Sequence, residues 1–201
     1  MANKCPGEIL LASSNRHKIT EFQALFSRLM PQIKFSSLRD YPLLATEVAE
    51  TGSSYQQNAY LKAAAYTKLI MLPVLADDSG VEVAVLLHLL GIHSHRFAPG
   101  SDQDRVQALL TKLRGETNRA LTYVCVLCYL APGEKAVYFR GELLGSAALE
   151  ARGSGNFGYD PVMVPQGEKR TLAQLSMTAK NQISHRFLAV KQLQAYLVGQ
   201  T

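Results

Sequence analysis

No apolar run in this 201-residue chain is long enough to span a bilayer. The longest, "VEVAVLLHLLGI" and "LTYVCVLCYLA", fall short, and the first is interrupted by Glu82 and His88. The opening "MANKCPGEILLASSN" lacks the apolar core of a signal peptide, so no membrane partner is expected. Cysteine is scarce: Cys5, Cys125 and Cys128 are an odd number in a chain with no secretory signature, which points to a reducing, cytoplasmic setting. The glycine-rich phosphate signatures are missing too. There is no G-x-x-x-x-G-K-[ST] and no G-x-G-x-x-G after a strand, which argues against a P-loop or a dinucleotide fold. Blocks of like charge are also missing. The 21 basic residues exceed the 16 acidic ones by five but are scattered, which suits a small polyanionic ligand and gives no reason to expect nucleic acid. Without repeats, low-complexity tracts or a linker, the chain is expected to form one domain over residues 1–201.

What is present reads as alternating strands and helices. "EILLAS" (8–13) has the look of a buried strand, and "SNRHKITEFQALFSRL" follows with Ile19, Phe22, Leu25, Phe26 and Leu29 at helical spacing. "IKFSSL" suits a second strand and Pro42 to Gly52 a long connection. Residues 53–70 are alanine-rich and helical, capped by Ser53 or Ser54. Residues 101–114 form an amphipathic helix opened by Ser101 and Asp102 and closed by Gly115. "RALTYVCVLCYLA" and "KAVYFRGELLGSA" read as long strands joined by a "PGE" hairpin turn. A glycine-rich loop, "RGSGNFGYDPVMVPQG", holds a short apolar piece, and "SHRFLAVKQLQAYLVG" ends the chain as a helix that Ser184 can cap. Such an order implies an α/β layer arrangement.

Several constellations carry chemistry. "LPVLADDSGVEVAVL" (72–86) places two adjacent carboxylates, Asp77 and Asp78, where a short buried strand is expected to end. A turn needs only one Asp and a Gly, and burying either anion unpaired is costly, so a positive group is expected there. In extended chain the two point to opposite sides, which argues against equal roles. "SSNRHK" (13–18) offers Ser13, Ser14, Asn15 and Lys18 at a helix N-terminus, either as a phosphate site or as a simple cap. "ETGSSYQQNAYLKA" holds Glu50, with Asn58 and Lys62 four residues apart; the alternative is a charged solvent face. "AKNQISHR" gathers Lys180, Ser184, His185 and Arg186, which also suits a basic capped terminus. The "CVLC" spacing falls inside an apolar strand with no second pair, so buried structural thiols are expected. "HSHR" (93–96) sets His93 and His95 on one face if extended, but no third metal ligand is in view. Lys18, Lys62, Lys180 and Arg186 alongside Glu50, Asp77 and Asp78 suggest a triphosphate with a divalent metal.

On "LASSNRHKITEF", "ETGSSYQQNAYLKA", "PVLADDSGVEV", "GNFGYDP" and "KNQISHR", in that order and spacing, the chain resembles the inosine triphosphate pyrophosphatases from Ile9 to about Leu197. The resemblance implies an α/β fold with a long curved mixed sheet, helices on both sides, and two lobes forming a nucleotide-binding cleft. It implies a homodimer, Mg2+ dependence, and hydrolysis of ITP, dITP and XTP between the α- and β-phosphates, cleansing the nucleotide pool. By the same resemblance Ser13, Ser14, Asn15, Arg16, His17 and Lys18 form the phosphate-binding turn, and Glu50 and Asp78 hold the metal. Asp78 is also the base for the attacking water, with Lys18 and Lys62 completing the catalytic set. Asn58 lies on the substrate side of the same helix as Lys62, and Ser79, Lys62 and Lys180 contact triphosphate or ribose. Phe157, Gly158, Tyr159 and Asp160, with His185 and Arg186, enclose and read the base.

Base choice follows from hydrogen bonding. Hypoxanthine and xanthine carry a 6-oxo acceptor where adenine carries an amino donor. A donor such as Arg186 or a backbone N–H aimed at position 6 suits the former, and Phe157 suits stacking. Guanine shares the 6-oxo group and must be excluded at position 2. Two other readings remain open: a related pyrophosphatase with a different base preference, and a nucleotide sensor without turnover. The chain departs from the family pattern at "LLHLLGIHSHR", where a glycine-rich, proline-containing turn is usual, and at His95, where a small residue is usual. It also carries Gln57 and Gln174 at positions often acidic, and Gln57 leaves one carboxylate fewer for the metal.

Overall fold

The computed structural model describes residues 6–44, 48–154 and 157–199; Cys5 lies outside them. Strand β1 (Glu8–Leu11) buries Ile9, Leu10 and Leu11 completely. Ile9 and Leu11 enter one apolar cluster and Leu10 another, as successive strand residues must. A strand covered on both faces shows as an unbroken apolar run rather than an alternation, and "EILLAS" is such a run.

Five further strands follow: β2 (Lys34–Ser37), β3 (Val74–Val83), β4 (Ala120–Leu130), β5 (Val137–Ala147) and β6 (Met163–Pro165). The helices are α1 (Arg16–Leu29), α2 (Tyr55–Thr67), α3 (Asp102–Lys112), α4 (Met177–Ile183) and α5 (His185–Val198). The strands form one mixed sheet in the order β2-β1-β3-β4-β5-β6. β1 runs parallel to β2 and to β3, with Leu11 opposite Ser37 and Leu75, while β5 and β6 are antiparallel. The α/β class and mixed sheet expected from the sequence are borne out.

The chain divides into two compact units. The first comprises residues up to Asp78, Cys125–Gly141 and those from Arg186 onward. In it α1 and α5 pack Phe22, Leu25, Phe26, Ala189, Val190 and Leu193 on the face that holds Ile9, Leu11, Leu75 and Cys125. Helix α2 packs Ala59, Ala63 and Tyr66 on the other, with Leu10, Val74, Ala76 and Cys128. The second unit, Ser79–Val124 with Glu142–His185, has its own core around Val81, Val83, Leu109, Leu113, Leu121, Tyr123, Val162 and Met163.

Two expectations need correction. Strand β3 does not end at the aspartates: it continues through Asp77, Asp78, Ser79 and Gly80 to Val83. Ser79 and Gly80 have turn chemistry, but an extended backbone here gives each aspartate a separate set of partners. The basic segment before Arg186 is also a helix of its own. Ser176 caps α4, and Ser184 sits in extended conformation between α4 and α5. Seven residues are too few to display an apolar period.

Candidate active site

Alternation along β3 decides the fate of the two adjacent aspartates. Leu75 and Asp77 share a direction toward the layer of α1 and α5, whereas Ala76 and Asp78 face the layer of α2. Asp77 is fully buried and satisfied. Its Oδ2 lies 2.8 Å from Lys18 Nζ and 3.6 Å from Arg186 Nε, and its Oδ1 accepts a hydrogen bond from Cys125 Sγ at 3.2 Å. Burial by itself raises this carboxyl, but Lys18, Arg186 and Lys62 outweigh it and hold Asp77 well below the usual carboxylate range.

Asp78 is the less contented member. Its Oδ1 lies 3.6 Å from Lys62 Nζ, and its buried Oδ2 has no hydrogen-bond partner among the described residues. Burial pushes its carboxyl up to about 6; Lys62 opposes the rise and the nearby charges of Glu50 and Asp77 add to it. Lys62 is held between Glu50 Oε1 at 2.5 Å, the Asp77 carbonyl oxygen at 2.8 Å and Asp78. Burial lowers its ammonium pKa, but Asp78 and Glu50 raise it more, so the net direction is upward. A buried acceptor with no donor is rare in a folded protein and calls for a ligand. Asp78 and Glu50, both beside Lys62, are oxygen donors of the kind that would hold a divalent cation. Among the described residues no three His, Cys, Asp or Glu side chains form a cage that could hold a metal ion.

The phosphate turn is built around the start of α1. Asn15 caps the helix, its Oδ1 accepting from the Lys18 N–H at 3.2 Å, and the Asn15 N–H donates to Ser13 Oγ. Ser14, Arg16 and His17 are exposed, and Ser13 and Lys18 half-buried. At the start of α2, buried Asn58 accepts the Gly52 N–H through Oδ1 at 2.8 Å, and its Nδ2 has no hydrogen-bond partner among the described residues. The first unit thus brings together Lys18, Lys62, Asp78 and Arg186, with Glu50 beside Lys62.

In the second unit Lys180 Nζ donates to Asp160 Oδ2 at 2.6 Å, and the Tyr123 hydroxyl to Asp160 Oδ1 at 3.0 Å. Lys180 also lies 5.2 Å from the centroid of the Phe157 ring, and the rings of Tyr123 and His185 are 4.9 Å apart. The Gly158 N–H donates to Asp102 Oδ2 at 2.7 Å, and Tyr159 Oη to the Ser94 carbonyl. Gly158 has φ +57°, a conformation that glycine adopts without steric cost. Ser79 follows Asp78 on β3, half-buried. Gly155 and Asn156 of "GNFGYDP" lie outside the described residues.

Sequence reasoning missed Glu21, Cys125, Tyr123 and Asp102. Glu21 accepts from Arg186 Nη1 at 2.6 Å, so the guanidinium assigned to base reading is buried between Glu21 and Asp77. Glu21 follows Lys18 by one helical turn, a spacing visible in the sequence; Cys125 and Tyr123 carry no such signal. The two glutamine departures are explained. Gln57 Oε1 accepts from the N–H and hydroxyl of Ser53, and Gln174 Oε1 accepts from the Thr171 N–H. Both fasten helix N-termini, a task Glu and Gln share. His93 and His95 are exposed, and Cys125 and Cys128 are free buried thiols.

Fold and site together define an α/β protein in which buried carboxylates of β3 meet ammonium groups carried by α1 and α2. The chain belongs to the Ham1 family, whose model matches residues 9–196, so the resemblance read from the motifs is borne out. It is 39% identical to a Staphylococcus aureus (strain MRSA252) protein named dITP/XTP pyrophosphatase, over 96% of this chain and 97% of that one. It is 41% identical to one of the same name from Symbiobacterium thermophilum, over 90% of each. The solved Staphylococcus aureus Ham1 protein superposes with a TM-score of 0.85 at 37% identity, covering 96% of this chain and all of the other.

Proposed function

We propose that this protein is a nucleoside triphosphate pyrophosphatase that hydrolyses non-standard purine nucleotides (dITP, ITP, XTP) to the monophosphate and pyrophosphate. The observation that carries the reading is the buried, unpartnered Asp78 Oδ2 beside Lys62 and Glu50, in a chain whose relatives are named for this reaction.

Glu50 and Asp78 would hold Mg2+, which supplies charge neutralisation on the phosphates and a more acidic bound water. The chain's own groups do the rest. The first-turn N–H groups of α1, with Ser13, Ser14, Asn15, Arg16 and His17, cradle phosphate oxygens, as helix N-termini do. Lys18 and Lys62 offset the polyanion's charge; one cation about 4 Å from a phosphate oxygen is worth roughly 4 kcal/mol at an effective dielectric near 20. Ionised Asp78 accepts a proton from the attacking water at Oδ2 as its oxygen bonds to phosphorus and the bridge between α- and β-phosphates breaks. An acceptor raised to about 6 is a stronger base than an ordinary aspartate and still ionised at neutral pH. Asn58 and Ser79 add donors to the substrate.

Base recognition is assigned to Phe157, Gly158, Tyr159 and Asp160 with His185 and Arg186, and Lys180 to the triphosphate or ribose; the Arg186 guanidinium is itself paired with Glu21. We further propose that the chain works as a single domain and as a homodimer in the cytoplasm. No helix among the described residues is long and apolar enough to cross a membrane. The test is a substrate panel: pyrophosphate release from dITP, XTP, GTP, ATP and modified pyrimidine triphosphates at equal concentration. Preference for dITP and XTP supports the reading. Preference for a pyrimidine, or release of orthophosphate, contradicts it.

A further inference from the structure

Lys18 and Glu21 lie one turn apart on α1 and face Asp77 and Arg186, giving a row of alternating charge. Lys18 meets Asp77 at 2.8 Å, Asp77 meets Arg186 at 3.6 Å, and Arg186 meets Glu21 at 2.6 Å. Two positive and two negative groups leave the row neutral, which removes much of the cost of burying these ions. Three members are nearly sealed from solvent, but the Lys18 side chain keeps 20% exposure. It is the one member a phosphate can reach.

One contact has no part in that charge balance. Cys125, at the centre of β4 and wholly buried, gives its S–H to Asp77 Oδ1. We propose that Cys125 is a positioning residue: its thiol pins one carboxylate oxygen of Asp77, so that the other is held toward Lys18 and fixes where the ammonium meets the triphosphate. Burial, with the Asp77 charge beside it, pushes the thiol pKa well up, so it remains a donor at working pH. Without that donor Asp77 loses one of the contacts that fix its carboxylate, and the orientation of Oδ2 toward Lys18 is less sharply held. The inference rests on the proposed role of Lys18 toward phosphate.

The test compares Cys125→Ala, which removes the donor, with Cys125→Ser, which keeps one. Kinetics with dITP at saturating Mg2+ and melting temperature are measured for each. Cys125→Ala is expected to raise KM about three- to tenfold with kcat within twofold, and Cys125→Ser to return KM to within twofold of the parent. In a Lys18→Met background the Cys125→Ala change should leave KM unmoved. If Cys125→Ala does not fold, Cys125→Val removes the donor with the space filled and is read in the same way. An unchanged KM beside a lowered melting temperature overturns the inference, as does an equal KM change with and without Lys18; either leaves the pyrophosphatase reading standing. A parent protein that releases no pyrophosphate overturns both.

Discussion

Asp77 and Asp78 are adjacent, chemically identical and opposite in behaviour, because a strand sends successive side chains to different layers. Asp77 meets two cations and a thiol, and its depressed pKa contributes stability above about pH 4 that is lost as pH falls below it. Asp78 has the reverse sign. Its folded pKa, about 6, exceeds the unfolded value near 4, so the native state holds the proton more tightly. The ionised form is therefore a stability cost that grows between about pH 4 and 6 and is fully present above. Asp78→Asn should raise the stability of the metal-free protein at pH 7.5 by ~1–3 kcal/mol, with little gain at pH 4. Denaturant unfolding at both values checks it; a loss at pH 7.5 would mean that the carboxylate is a structural asset. Arg186→Ala takes the guanidinium from between the buried carboxylates of Glu21 and Asp77 and should cost about 3–5 kcal/mol. Thermal melts should accompany any measurement of ITP-over-ATP preference in this variant, since a folding loss alone lowers both rates.

At the scale of elements, the sequence revealed those built from repetition. Phe22, Leu25 and Phe26 in α1, and Ser101 opening α3, are local patterns found where local rules put them. Helix α4 escaped because seven residues show no apolar period, and its buried positions include the polar Lys180 and Asn181. The length of β3 escaped because Ser79 and Gly80 carry turn chemistry that tertiary partners override. Gln57 shows a residue whose role is settled by the element it caps. Since its side chain is occupied at the start of α2, Gln57→Glu should keep the cap and alter the Mg2+ concentration for half-maximal activity by less than about twofold. A tenfold tightening in a Mg2+ titration would show instead that position 57 reaches the metal.

For the whole molecule, the motifs were legible as separate stretches, while their partners were not. Lys18, Asp77, Cys125 and Arg186 come from α1, β3, β4 and α5, and only the fold brings them together. Sequence spacing gives no distance between residues 77 and 125, so the thiol read as plain core and Arg186 read as free to meet a base. In the stretch 86–90, by contrast, Leu87 and Leu89 are exposed while Leu86 and buried Leu90 pack on the second unit's core.

The central claim is that Asp78 is the base of a metal-dependent pyrophosphatase. It is tested most directly by pyrophosphate release from dITP with and without Mg2+, in the parent protein and in Asp78→Asn. Removing the proton acceptor and a metal ligand should slow the reaction by at least about 10²–10⁴-fold, the range of general-base contributions. The account predicts release that requires both Mg2+ and Asp78, from a variant that still folds. Release that persists in Asp78→Asn at a comparable rate would contradict it.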